Sequence, residues 1–111
     1  MATQFIWPNT DKKVSIIKTE YQFPKNIALL AVMETEAGKE PFGMITVNVQ
    51  QELKPGRVAI KDWSENEGLL DILVEEGIIS EPLAYIPSGF VEIPVCRLLA
   101  TDLEEEQKRF S

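Results

Sequence analysis

The sequence contains no histidine and a single cysteine, and these shortages exclude several kinds of chemistry. Without histidine, the chain has no imidazole to act as a general base, to activate a nucleophile or to bind a metal ion. One cysteine cannot build a disulfide framework or a cysteine-rich zinc site. The phosphate-binding loop, the dinucleotide fingerprint and the nucleophile elbow are also missing. We therefore predict that the protein is not an enzyme and has neither a cofactor nor a metal site.

Long apolar runs are missing as well. No stretch of 18 or more apolar residues is present, which excludes a membrane-spanning helix. The first ten residues do not combine a basic region with an apolar stretch, so no secretory signal is visible. Together with the single cysteine, Cys96, these features predict a cytoplasmic protein. The alternating pattern around Cys96 predicts a buried, unreactive thiol.

The net charge of −7 is distributed unevenly along the chain. Residues 1–61 carry six acidic and eight basic side chains, whereas residues 62–111 carry twelve acidic and three basic ones. Such a surface repels nucleic acid and anionic membranes, because affinity for phosphate depends on Lys and Arg. It suits a protein partner with a basic surface, which it could also engage as a nucleic-acid mimic. The alternative is that the negative charge only keeps a small protein soluble.

The pattern of polar and apolar residues predicts a single α+β domain over residues 1–111. Strands are predicted where β-branched and aromatic residues form short runs between turn residues: 14–21, 27–33, 44–50, 57–61, a short piece near 83–86, and 90–98. The short connections favour an antiparallel meander of about four to six strands, with one main helix packed on one face. Pro94 cannot donate a ladder hydrogen bond, so we expect the last strand at an edge or a bulge.

Turn residues divide these strands and predict less regular segments. We expect residues 1–12 to be loosely ordered, because Pro8 and Asn9 favour a turn. Residues 34–43 should form a hairpin loop, with glycine and proline as punctuation. Pro55 is followed by a glycine, which predicts a type II turn.

One helix is predicted over residues 65–76. Ser64 and Glu67 have the spacing of a capping box, and Gly77 is placed to end the helix. At the other end of the chain, residues 102–111 form either a tail that runs from acidic to basic or a short helix.

The stretch KDWSENEG, residues 61–68, concentrates charged, aromatic and amide side chains in one place. We predict that it contacts a partner through Asp62, Trp63, Glu65, Asn66 and Glu67. Helix initiation is the alternative explanation for the glutamates, and packing in the core is the first expectation for the tryptophan.

A second acidic patch is predicted near the C-terminus. It consists of Glu104, Glu105 and Glu106. Another hypothesis gives the carboxylates a chemical role, as an acid and base pair or a weak Ca²⁺ or Mg²⁺ site. That hypothesis requires two or more of the following side chains to converge in one pocket: Asp62, Glu65, Glu67, Asp71 and Glu92. The stretch does not match a calcium-binding EF-hand loop.

About half of the chain, residues 44–99, resembles a family of short uncharacterised bacterial proteins. The resemblance rests on TVN (46–48), IKDWSENEG (60–68), GII (77–79) and SGFVEIPVCRL (88–98). Members of that family are often carried by phages, plasmids and other mobile elements, and the family supplies no activity to transfer. The resemblance implies a mobile-element context, in which small acidic proteins often inhibit host defences.

Three hypotheses for function follow. The first is a non-enzymatic acidic module that binds a basic protein, with an anti-CRISPR or anti-restriction inhibitor as its specific form. The second is a small carboxylate-based or metal-dependent enzyme. The third is an accessory subunit that forms a homodimer through the edge of the strand at residues 90–98, although Pro94 opposes such pairing.

Overall fold

The computed structural model describes residues 3–105, and within them the strands form two sheets. The larger sheet has the order β1-β2-β3-β4 with antiparallel neighbours. Its strands are β1 (Gln4–Ile6), β2 (Lys13–Glu20), β3 (Ile27–Thr35) and β4 (Gly38–Met44). A fifth short strand, β8 (Glu104–Glu105), pairs with β2 in the parallel sense.

The smaller sheet has the order β5-β7-β6 and is antiparallel. Its strands are β5 (Arg57–Ala59), β6 (Ala84–Ser88) and β7 (Val91–Arg97). A 3₁₀ turn (Ser64–Asn66) and the helix α1 (Leu69–Glu75) lie between β5 and β6. The α+β class is therefore confirmed, but the predicted single meander with the helix on one face is wrong. The chain builds two sheets, and its helix has only seven residues.

The two sheets are joined by the chain that follows β4. Hydrogen bonds run from Val47 N–H to Ala59 O and from Lys61 N–H to Ile45 O, at 3.0 and 2.9 Å. The main apolar core combines residues from both sheets and from the helix. It includes Phe5, Trp7, Ile16, Leu29, Ile45, Ile60, Leu69, Leu73 and Cys96. Residues 57–61 contribute to this core as predicted, since Val58 and Ile60 are fully buried.

The first residues described are ordered into the sheet, which corrects the prediction of a loose segment at 1–12. β1 pairs with β2, and Phe5 and Trp7 are each only 4% exposed. Burying an aromatic side chain contributes about 1.5–3 kcal/mol, enough to hold a short strand in place. The turn residues Pro8 and Asn9 bend the chain only in the connection between β1 and β2, where Trp7 N–H donates to Lys12 O at 2.9 Å.

The predicted hairpin loop at 34–43 is also wrong, because most of it forms β4. The turn is confined to two residues, and Thr35 closes it by accepting from Ala37 N–H and donating to Gly38 O. Pro41 is tolerated because β4 lies at the edge of the sheet. A register shift opposite Ala31 and Val32 leaves Phe42 without a partner residue, which is the geometry of a β-bulge.

β4 ends where the predicted strand at 44–50 should begin. Within residues 45–50, Thr46 alone forms a β-bridge, and its partner is Ile60. Thr46 is only 2% exposed although its side chain is polar. Its hydroxyl accepts from Leu29 N–H at 3.1 Å and lies 3.0 Å from the Tyr21 hydroxyl. The Thr46 side chain therefore replaces part of the backbone hydrogen bonding that the predicted strand at 44–50 would have formed.

β7 is the central strand of the smaller sheet, so the expected edge position of Pro94 is wrong. The sheet accommodates the proline because β5 ends at Ala59, opposite Val95. At the next position no N–H is needed from Pro94, because its carbonyl only accepts a hydrogen bond from Ile60 N–H, at 2.9 Å. β7 lies between β5 and β6, so it is not the free edge that the homodimer hypothesis assumed; homodimerisation itself stays a prediction.

The predicted helix over 65–76 is interrupted. Gly68 adopts φ 92°, a left-handed conformation that separates the 3₁₀ turn from α1. The capping box does not form; Leu70 N–H donates instead to Asp62 Oδ1 at 2.8 Å. The helix end is confirmed, because Gly77 has φ 72° and donates to Val74 O at 3.0 Å.

The short C-terminal helix is wrong for the residues described, because Glu104 and Glu105 lie in a strand. These two residues pair with Ile17 and Lys18 of β2. The rest of the predicted tail, including Glu106, lies outside the described residues.

Candidate functional site: an aromatic groove with an acidic rim

Asp62 and Trp63 are the first two residues of the predicted site, and both make contacts within the fold. Asp62 is half-buried and its carboxylate accepts from the first turn of α1, as described above. Trp63 is also half-buried and packs against a small apolar cluster of Val49, Ala59 and Ile93. The structure thus supports the expectation of a packed tryptophan over that of a free-standing anchor.

Asn66 is buried, which corrects its assignment to a partner-binding surface. Only 1% of the residue is exposed, and its Nδ2 donates to Met44 O at 2.7 Å. This bond ties the 3₁₀ turn to the end of β4. The side chain therefore positions the segment and does not reach a partner.

Glu65 and Glu67 are the members of the predicted site that do reach solvent. Both are exposed, and they flank the buried amide of Asn66. Glu65 Oε2 accepts from Lys61 Nζ at 2.7 Å, and this hydrogen bond lowers the pKa of the Glu65 carboxyl. The carboxylate is therefore ionised at neutral pH and unsuited to act as a general acid.

The backbone of the two glutamates is anchored to the turn after β1. Trp7 Nε1 donates to Glu65 O at 3.4 Å, and Asn9 Nδ2 donates to Glu67 O at 3.5 Å. Residues distant in sequence thus hold the backbone from which both carboxylates project. Pre-positioned groups lose less conformational entropy when they bind a partner.

An open groove of about 470 Å³ lies between this segment, the turn after β1 and the bulge in β4. We call it the aromatic groove. It is lined by Trp7, Pro8, Asn9, Thr10, Phe42, Gly43, Ser64, Glu65 and Glu67. Two of the lining residues, Trp7 and Phe42, meet edge to face with ring centroids 5.2 Å apart.

Gly43 allows this groove to form. A Cβ at this position would lie 3.3 Å from Trp7 Cη2, which is tighter than ordinary contact. A side chain at residue 43 would require the indole to shift by a few tenths of an ångström, so glycine lets the indole pack closely against β4. Sequence reasoning missed Trp7, Phe42 and Gly43; the signal available was the aromatic pair in QFIW, ahead of the first strand predicted from the sequence.

The half-buried ring of Phe42, with carboxylates at the rim, suits a cationic side chain; Trp7 is only 4% exposed and supports that ring from within the fold. An arginine or lysine can lie against an aromatic ring, where the attraction is about 0.5–2 kcal/mol. Its charged end can then form charge-assisted hydrogen bonds with a carboxylate. Glu67 is the better placed of the two for this purpose, since Glu65 already has Lys61 as a partner.

The second predicted patch is not part of the aromatic groove. Glu104 forms an ion pair with Lys39, which raises the pKa of the lysine. Glu105 lines a different groove of about 320 Å³, together with Lys18. The two described glutamates of this patch therefore lie beside lysines, and they offer less uncompensated charge than the sequence predicted.

Two of the five carboxylates named in the enzyme hypothesis line one groove, which meets the minimum that the hypothesis requires. The groove receives Glu65 and Glu67, whereas Asp62 caps the helix and Asp71 and Glu92 are exposed on α1 and β7. Among residues 3–105, no group of three or more acidic or cysteine side chains is placed to hold a metal ion.

Comparison with known proteins adds no relative. No protein-family model, no curated protein and no solved structure matches this chain. The resemblance to mobile-element proteins stays a prediction from the sequence. Within the described part of the chain, no helical segment has the length and hydropathy needed to span a bilayer.

Proposed function

We propose that this protein is a non-enzymatic binding module that captures a basic side chain of a partner protein in the aromatic groove. The observation that carries the proposal is the position of two exposed carboxylates, Glu65 and Glu67, beside Trp7 and Phe42 in one groove. The net charge of −7 adds long-range attraction for a basic partner.

The test uses a defined probe, a fluorescein-labelled hexa-arginine peptide, titrated with protein at low and moderate salt. The double variant Glu65→Gln with Glu67→Gln should weaken binding at least tenfold. A matched control, Asp71→Asn with Glu75→Gln, removes the same charge from the exposed face of α1. The control should change affinity less than twofold. Equal losses for the two double variants would show that only net charge matters, and would contradict the groove as the site.

A specific form of this function is inhibition of a host defence protein of the anti-CRISPR or anti-restriction type. The sequence resemblance and the acidic surface support it, and a basic nucleic-acid channel is the surface that such an inhibitor would occupy. Phage plaque counts on cells that carry one restriction or CRISPR system, with and without the protein, test this form. Protection that disappears with the Glu65→Gln/Glu67→Gln variant would support it, and unchanged restriction in every system tested would refute it.

A further inference from the structure

β6 has one unpaired edge. It pairs with β7 on one side, and no residue in the described part of the chain pairs with the other. The strand is exposed along its length except at Ile86, which is half-buried. Unpaired strand edges present backbone N–H and C=O groups to any extended chain that approaches.

The hydrogen-bond register shows which groups face outward. Ile60 N–H donates to Pro94 O at 2.9 Å, so the polar backbone of Pro94 faces β5. Tyr85 lies opposite Pro94 in the β6 ladder. Because bonded and non-bonded pairs alternate in antiparallel sheets, the N–H and C=O of Tyr85 must point away from β7. The same alternation directs the carbonyl of Pro87 outward.

The side chains along this edge combine apolar surface with negative charge. Leu83 and Tyr85 are 48% and 55% exposed, and Phe90 is fully exposed at the turn into β7. Glu81 precedes the strand, and Glu92 lies opposite Pro87 in the ladder; both glutamates are exposed. An incoming strand would therefore find apolar contacts for alternate residues and carboxylates for basic ones.

We propose that the free edge of β6 receives an extended segment of a partner protein, rich in lysine or arginine, as an added strand. Main-chain bonds to Tyr85 and to Pro87 O set its register, and charge complementarity with Glu81 and Glu92 selects its sequence. This surface does not share a residue with the aromatic groove, so the inference stands apart from the proposed function.

A second copy of this chain fits the edge less well than a foreign basic strand does. In a two-fold pair centred on Tyr85, the residue opposite Pro87 would be the other copy's Leu83. The N–H of Leu83 is already donated to Val95 O at 2.8 Å, so Pro87 O would gain no partner in that register. A pair centred on Ile86 would instead join the Tyr85 N–H of each copy to the Pro87 O of the other, so charge rather than hydrogen bonding disfavours a second copy. Either dimer would bring together two chains that each carry a net charge of −7.

Amide hydrogen exchange and peptide titration, both followed by NMR, test the proposal. In the free protein, the N–H of Tyr85 should exchange at least tenfold faster than that of Ile86, which faces β7. The probe is an acetylated heptapeptide that alternates valine with lysine, and the control is the same peptide with glutamate for lysine. The lysine peptide should slow exchange at Tyr85 at least tenfold, and the glutamate peptide should not.

Variants of the probe and the protein separate the alternatives. N-methylation of alternate peptide amides on the bonding side should abolish binding, without any change to the protein. In the Glu65→Gln/Glu67→Gln protein, the lysine peptide should slow exchange at the Tyr85 amide as much as it does in the unmodified protein. Three results would each overturn the proposal: a protected Tyr85 amide in the free protein, which would show that a second copy covers the edge; equal binding of both peptides; or loss of the slowing at Tyr85 in the groove variant.

Discussion

The substitution Asn66→Ala tests the assignment of a structural role to a residue that the sequence placed in the binding site. Asn66 is 1% exposed and donates to Met44 O at 2.7 Å. Alanine removes the donor and leaves a carbonyl without its partner in a region closed to water. A buried polar group left unsatisfied costs about 1–3 kcal/mol. The lost amide volume adds to this cost, and we expect a total of about 2–3 kcal/mol.

Urea unfolding followed by tryptophan fluorescence measures this loss. Small domains have stabilities of about 5–15 kcal/mol, so the shift in midpoint should be large. The matched control is Asn48→Ala, because Asn48 is exposed and its Nδ2 bonds Phe23 O at 3.3 Å. The control should lose less than about 0.5 kcal/mol. An Asn66→Ala loss as small as that of the control would refute the structural role.

The charged variant Asn66→Asp adds a pH signature to the same test. An ionised carboxylate facing Met44 O has no hydrogen to donate, so burial should raise its pKa above about 3.9, the ordinary value for aspartate. A raised folded-state pKa gives stability that is present at low pH and is lost as pH increases. The variant should therefore be more stable near pH 4 than near pH 7, relative to the unmodified protein. A variant whose relative stability does not change with pH would contradict burial of residue 66.

Three further predictions concern the helix cap at Asp62, the interruption of the helix at Gly68 and the thiol of Cys96. Asp62→Ala should destabilise the protein by about 1 kcal/mol in urea unfolding, because α1 loses its cap, whereas Asp62→Asn keeps an acceptor and should lose less. Gly68→Ala should cost about 1 kcal/mol or more through its φ of 92°, and a neutral result would contradict the left-handed conformation. Burial raises the pKa of Cys96 from 9.0 to about 11, so the thiol stays protonated in the folded chain while the unfolded chain ionises. Stability should therefore fall as pH rises from about 9 to 11, and Cys96→Ala should flatten that part of the curve; an unchanged slope would place the cause elsewhere.

Local patterns predicted the elements whose residues determine their own conformation. β2 and β3 were predicted within two residues of their ends, because each is a run of β-branched and apolar residues between breakers. The turn at Pro55 is confirmed by Gly56, which has φ 80°, and by the bond from Arg57 N–H to Lys54 O at 3.2 Å.

Elements that depend on distant partners were not predictable in this way. β4 contains Gly38, Pro41 and Gly43, which favour a loop locally, yet pairing with β3 makes it a strand. β1 forms because Phe5 and Trp7 enter the core, which the turn residues beside them do not reveal.

The candidate site likewise contains residues that local sequence could predict and residues that depend on distant partners. The exposure of Glu65 and Glu67 agrees with their charge, and their role as partner contacts stays a prediction. Their aromatic neighbours could not be identified, because Trp7 follows β1, Phe42 lies in β4, and both meet the segment only in the folded chain. The burial of Asn66 depends on Met44, a contact across 22 positions.

An NMR titration with the hexa-arginine peptide tests the aromatic groove most directly. The account predicts saturable shifts at the Trp7 indole N–H and at the amides of Gly43, Glu65 and Glu67, with none at Glu104 or Glu105. Shifts spread over all acidic residues, or confined to β8, would contradict it.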